Sequence, residues 1–249
     1  MPHTGDILPG GRYAVVSCHV ERPLDDEVWA RFAALQDRRP GGFRIAALMR
    51  PPDEGEDEVA WLGRARAAAG RGPLGLHTHW TAPDHARPTA GDPAARVREQ
   101  TDWLRSRGLD VRLFCGGGWY TDENVASTLA DLGYADCTAT AFRPRYLEDD
   151  APRLGARDPC YVELANGRRL LELPTTHSIG MLARGVLLPY PGPLVHAYFH
   201  DTDLRDPMRR SALGAALVFL GAKRWQTDLA ELQRGLRPVK TMSFPNSRG

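Results

Sequence analysis

The feature that most limits the fold of this chain is an alternation. Seven short apolar runs, Tyr13–Cys18, Phe43–Met49, Pro73–Leu76, Asp110–Cys115, Ala135–Thr140, Leu170–Pro174 and Leu194–Phe199, are separated by stretches with helical spacing. A short apolar run bounded by turn residues reads as a buried strand. Asp25, Asp26 and Glu27 open the first helix with acids at its positive end, and Val28, Phe32, Ala33 and Leu35 repeat on one face. Residues 55–69 predict a second helix that Gly70 and Gly72 end, and residues 93–107 a third closed by Gly108. Thr121 or Asp122 caps a fourth, which stops at Gly133. A last helix or helix pair covers about 206–235. Strands alternating with helices lie parallel, joined by right-handed crossovers. Seven repeats predict a barrel rather than an open sheet, in one domain of 249 residues with its core at about 12–235. Residues 1–11 read as a polar lead-in, 143–167 as a long charged loop and 237–249 as a polar tail.

Charge narrows the range of partners. The formal net charge is +1, so nothing argues for capture of nucleic acid or an anionic membrane. No run approaches the roughly 18–20 apolar residues of a membrane span. The N-terminus has neither a basic nor an apolar signal region, which predicts a cytoplasmic protein. Cys18, Cys115, Cys137 and Cys160 lack C-x-x-C spacing and are expected to be reduced thiols.

The polar residues gather where the apolar runs end. Parallel α/β folds place their chemistry at the carboxyl ends of strands. His77 and His79 close the third run, two residues apart, so an extended chain turns both to one face. They are either ligands to one metal ion or hydrogen-bonded pocket histidines. His19 and Glu21 follow the first run, and His200, Asp201 and Asp203 the last. Glu21 with the two histidines would make a two-His, one-carboxylate set for Zn²⁺ or a similar ion; alone, it reads as a surface acid beside Arg22. Gly116, Gly117 and Gly118 either let backbone N–H groups approach an oxyanion or simply form a tight turn. No Gly-Lys-Ser/Thr ending makes them a phosphate loop. Trp80, Trp119 and Tyr120 are candidates for the wall of a sugar pocket, with plain packing as the alternative. Cys115 abuts the same turn and reads first as a small buried hydrophobe.

In this order, the segments Ser17–Glu21, Gly75–Trp80, Phe114–Tyr120 with Leu129–Tyr134, Leu171–Pro174 and Ala197–Asp201 resemble the polysaccharide deacetylase (NodB-homology) superfamily, carbohydrate esterase family four. The resemblance covers roughly residues 12–235. It implies a distorted (β/α)7-type barrel of parallel strands and one divalent metal ion, expected to be zinc. It also implies catalytic roles for His19 as base and His200 as acid. Glu21, His77 and His79 would be the metal ligands, and Trp80, Gly118, Trp119 and Tyr120 would contact substrate. The sequence departs from the family pattern where His19 replaces the usual aspartate base, Cys115 replaces the arginine that pairs with it, and Thr81 replaces the second metal histidine. A neutral imidazole needs no arginine partner, so the first two departures are mutually consistent. The metal role of Thr81 moves to His79, with Asp84 and His85 as substitutes.

The function expected on this basis is a metal-dependent hydrolase, a deacetylase that removes an acetyl group from an N-acetylated sugar or sugar-like substrate through a metal-activated water. The substrate would be a small molecule or glycan. The alternative is a non-catalytic binding or regulatory member that has lost the usual aspartate. A third reading, a cyclic-amide or amidohydrolase-type enzyme, expects a strand-end lysine, and the only lysines are Lys223 and Lys240.

Overall fold

The structure, a computed structural model, describes residues 11–82, 84–148, 151–185 and 192–244. Its elements in chain order are β1 (Tyr13–Val20), α1 (Asp26–Arg38), β2 (Ala46–Met49), α2 (Glu58–Arg71), β3 (Leu74–Thr78), α3 (Pro93–Ser106), β4 (Leu113–Gly116), α4 (Glu123–Leu132) and β5 (Ala135–Asp136). Then follow β6 (Cys160–Glu163), β7 (Arg169–Glu172), β8 (His177–Ser178), α5 (Ile179–Gly185), β9 (Leu194–His200), α6 (Pro207–Lys223), β10 (Trp225–Gln226), α7 (Leu229–Gly235) and β11 (Thr241–Ser243).

The expected α/β class with parallel strands is what the structure shows. One sheet runs in the order β11-β6-β7-β5-β4-β3-β2-β1-β9-β8, with β10 beside β1. Every pairing is parallel except β6 with β7. Among the described residues the two ends, β11 and β8, do not pair, so the sheet curls without closing.

The strands β1, β2 and β4 carry buried apolar side chains on both faces, as strands covered on both sides must. Val16, Cys18, Ala47, Met49, Leu76 and Phe114 face the helices and join their core with Phe32, Trp61, Val97 and Leu129. Val15, Ala46, Leu48, Leu113, Ala135 and Leu173 build a second core on the concave face with Leu229 and Leu232. Gly75 is required on that concave face: a Cβ there would lie 2.5 Å from Leu48 Cδ2 and 2.8 Å from the Leu113 carbonyl oxygen.

The helices start where an aspartate satisfies exposed amides. Asp25 accepts from Val28 N, Asp57 from Ala60 N, Asp92 from Ala94 and Ala95 N, and Asp206 from Met208 and Arg209 N. At the fourth helix the cap is Asp122, not Thr121, and Gly133 ends it in the left-handed conformation.

Two expectations need correction. The region 143–167 is not all loop, because β6 pairs there with β7 as a hairpin. The tail after residue 237 is not unstructured, because β11 pairs with β6.

Candidate metal centre

Register places the site. His19 lies opposite His200 on the neighbouring parallel strand. His77 lies opposite Cys115. In-register residues of parallel strands share a face, so all four turn to the concave side, where β1, β3, β4 and β9 end together. Glu21 and His79 follow just past the ends of β1 and β3.

These residues converge on Glu21. Its Oε1 lies 3.4 Å from His79 Nε2, 3.8 Å from His77 Nε2 and 3.6 Å from His200 Nε2. The Nε2 atoms of His77 and His79 are 3.3 Å apart. A tetrahedral ion with nitrogen and oxygen bonds of about 2.0–2.2 Å holds its ligand atoms roughly 3.3–3.6 Å apart. Glu21, His77 and His79 therefore fit a divalent ion by both donor type and spacing. Asp84 and His85, the possible substitutes, belong to neither potential donor cluster among the described residues.

Surrounding contacts orient the donors. His77 Nδ1 lies 3.0 Å from the Cys115 carbonyl oxygen, which fixes the ring and presents Nε2 to the centre. Arg50 donates from Nε to the Glu21 carbonyl at 3.1 Å and is itself bound by Asp53 and Glu56. Asp201 accepts from Arg22 N at 2.9 Å and so pins the residue after Glu21. Asp203 Oδ2 accepts from His200 N at 3.0 Å, and its other oxygen pairs with Arg209. None of these anchors was singled out in the sequence except Asp201 and Asp203; Arg50 carries no signal beyond being a charged residue at the end of β2.

Electrostatics suit metal ligation. Burial pushes the Glu21 carboxyl upward, but hydrogen bonds with His77 and His79 and the charge of His200 outweigh it and hold it well below the carboxylate range. Burial lowers His77, against the opposing pull of Glu21. The two shifts oppose one another, since a cationic His77 is what would lower Glu21 most. A carboxylate beside a neutral imidazole is the state consistent with the burial of His77. His19 is also held well below its ordinary range, by burial first and then by His77 and His200.

His19, Glu21, His77 and His200 open onto a cleft of about 360 Å³. Gly118, Trp119, Tyr198, Tyr146 and Arg87 form part of its wall, and Asp84 and His85 line it too. Trp119 keeps a positive φ of 58°, which a bulky residue rarely adopts. Gly118, also at φ 58°, passes beneath the Arg87 stem, and a Cβ there would lie 2.3 Å from Arg87 Cγ. Arg87 donates to the Gly118 carbonyl at 2.7 Å. Trp80 and Tyr120, expected in the wall, sit behind it. Trp80 is buried and donates from Nε1 to the Gly117 carbonyl, and Tyr120 donates its hydroxyl to Asp122. Gly116 N donates to Thr138 Oγ1 and Tyr120 N to the Gly117 carbonyl, so neither amide faces the cleft unpaired.

The fold is similar to those of three solved structures. A mutant of a CE4-family pseudoenzyme with restored enzymatic activity aligns with a TM-score of 0.53 at 13% identity, over 91% of this chain and 69% of its own. A protein of Bordetella bronchiseptica assigned as a polysaccharide deacetylase of O-antigen biosynthesis aligns with a TM-score of 0.50 at 10% identity, over 86% of this chain and 91% of its own. The 4-α-glucanotransferase of Thermococcus litoralis aligns with a TM-score of 0.62 at 13% identity over 94% of this chain, which spans only 42% of that enzyme. No protein-family model and no curated protein matches the sequence. Among the described residues, no helix is long and apolar enough to cross a membrane.

Proposed function

We propose that the chain is a metal-dependent deacetylase acting on an N-acetylated sugar or sugar-like molecule. The observation that carries this reading is the spacing of Glu21, His77 and His79, of which Glu21 and His77 line a cleft together with His19 and His200. A divalent ion held by those three residues, with zinc the ion the donor set suits, would lower the pKa of a water molecule and polarise the acetyl carbonyl.

The chain's own residues supply the rest. His19, neutral and within the cleft, takes a proton from the attacking water. The Gly118 amide, at the left-handed turn, donates to the developing oxyanion. His200, held through its backbone by Asp203, delivers a proton to the leaving amine. Trp119 and Tyr198 flank the His19 ring at 5.4 and 5.0 Å between centroids and give the sugar an aromatic wall.

A binding protein without catalysis is the second reading, and His19 favours it. The ring is 3% exposed and packed between Tyr198 and His77, which limits its freedom to carry a proton. A glycosyl-transfer reading, raised by the glucanotransferase likeness, expects two carboxyl groups flanking the scissile bond. Among the described residues the cleft offers Glu21 and Asp84, and Glu21 is ringed by three imidazoles. The amidohydrolase-type reading has no lysine at the cleft: Lys240 pairs with Asp158, and Lys223 lies over Phe219.

The test is metal content per chain in protein purified without a metal-binding tag, followed by acetate release from N-acetyl sugars. About one ion per chain, lost in His77→Ala and Glu21→Ala, supports the reading. Metal without acetate release from any N-acetyl sugar moves the assignment to the binding protein. No metal after reconstitution refutes the hydrolase.

A further inference from the structure

His19 and Cys115 are 96 residues apart in sequence, and both stand where the chain departs from the family it resembles. The fold brings them into contact, with His19 Nε2 3.5 Å from Cys115 Sγ. A thiol donating to an imidazole would explain that distance alone. It would not explain the third residue. His77 packs its ring against His19 at 4.4 Å between centroids and lies opposite Cys115 in the β3–β4 ladder. One donor atom from each of the three falls within 4.8 Å of the others. A tetrahedral ion with a sulfur bond of about 2.3 Å and a nitrogen bond of about 2.0–2.1 Å separates those two atoms by roughly 3.5 Å.

We propose that His19, His77 and Cys115 form a second, sulfur-containing seat for a metal ion, taking borderline or soft ions such as Zn²⁺, Co²⁺ or Cd²⁺. The proposal rests on the reading of Glu21, His77 and His79 as the first seat. His77 belongs to both sets, and its Nδ1 is committed to the Cys115 carbonyl. One lone pair remains, so the two seats take an ion alternately. Ligation removes the Sγ proton, which passes to solvent. An ion in the sulfur seat also makes His19 a ligand and withdraws it as a base. Harder ions, which prefer oxygen, favour the seat that contains Glu21.

The experiment titrates Cd²⁺ and Co²⁺ into metal-free full-length protein. It follows the sulfur-to-metal charge-transfer absorption together with bound metal after desalting. About one ion per chain and a thiolate band are expected in the parent. Cys115→Ser should lose the band and still bind one ion, and Glu21→Gln should keep the band. Cys115→Ala, which leaves a small apolar group in the same buried space, repeats the test if serine disturbs packing. One ion per chain with no thiolate band overturns the sulfur seat and leaves the first seat standing. A band that survives Cys115→Ser assigns the sulfur to another cysteine and also overturns it. Two ions per chain refute the alternation. No bound Cd²⁺ or Co²⁺ refutes both seats together.

Discussion

Asp136 and Glu172 sit in register on the adjacent strands β5 and β7, both fully buried. Asp136 Oδ1 accepts from Thr138 N at 2.9 Å and from its hydroxyl at 2.5 Å. Asp136 Oδ2 and Glu172 Oε2 have no other partner, and the two carboxyls hydrogen-bond to one another by sharing a proton. Cys115, Cys137 and Cys160, also buried, are the other titratable groups facing the pair. Burial raises Asp136 from 3.8 to about 6, against the opposing hydrogen bonds of Thr138, and raises Glu172 well above its ordinary value. An acid that binds its proton more tightly when folded gives stability that is complete below the unfolded pKa, near pH 4, and is lost as the pH climbs through about 6. At about 1.4 kcal/mol per tenfold change in proton affinity, the rise corresponds to roughly 3 kcal/mol at neutral pH. Asp136→Asn keeps an acceptor for Thr138, offers a donor to Glu172 and cannot ionise. At pH 4.5, just above the unfolded pKa, about 1 kcal/mol is already lost, and the variant should melt only about 2–4 °C above the parent. At pH 7.5 the variant should melt roughly 6–12 °C higher, at about 2–4 °C per kcal/mol for a chain of this size. An equal difference at both pH values, or a variant less stable at pH 7.5, would refute the buried proton.

Three further outcomes test other parts of the structure. Gly75→Ala should cost about 1–3 kcal/mol in denaturant melts, because its Cβ enters the space of Leu48 and the Leu113 carbonyl, and an unchanged midpoint would mean that β2, β3 and β4 can spread. His200→Gln should lower the rate of acetate release by about 10²–10⁴ with metal content intact, and loss of the metal would make it a ligand instead of an acid. Arg50→Met should cost about 2–3 kcal/mol, below the ~3–5 of a fully buried pair because Asp53 and Glu56 are 30% and 29% exposed. That variant should also weaken metal binding, read by competition with a chelator, because Arg50 anchors the Glu21 carbonyl.

The strands that sequence pattern revealed are those whose burial on both faces writes itself as a continuous apolar run. β1 and β9, each paired on both edges, came through with nearly their observed bounds. β6, β8, β10 and β11 are two to four residues long and lie at the margins, held by pairing more than by apolar burial. Thr241, Ser243, Trp225 and Gln226 are all exposed, so no hydrophobic period marks them. The β6–β7 hairpin did leave a signal. Asn166-Gly167 stands between its strands, with Gly167 at φ 77°, and an Asn-Gly pair between strand-like runs is a strong hairpin mark. The charges around it, Glu163 and Arg168 among them, made the segment read as loop.

The site divides along the same physical line. That His19, Glu21, His77 and His200 share one rim follows from each standing at the end of an apolar run, which the sequence displays. Which atoms meet within the rim depends on stagger, which it does not. Along the ladder His19 is level with Leu48 and Leu48 with Gly75, so His77 and Cys115 stand one same-face step further along. Gly75, with no side chain at the level of His19, leaves Leu48 to fill that place. The step brings Cys115 Sγ against His19 Nε2 and the His77 ring across both. A one-residue slip between β3 and β4 would turn Cys115 to the helix side and separate it from His19. The contact between the two departures from the family pattern is therefore a property of register, set by the packing of Gly75, Leu48 and Leu113 one same-face step before His77 and Cys115.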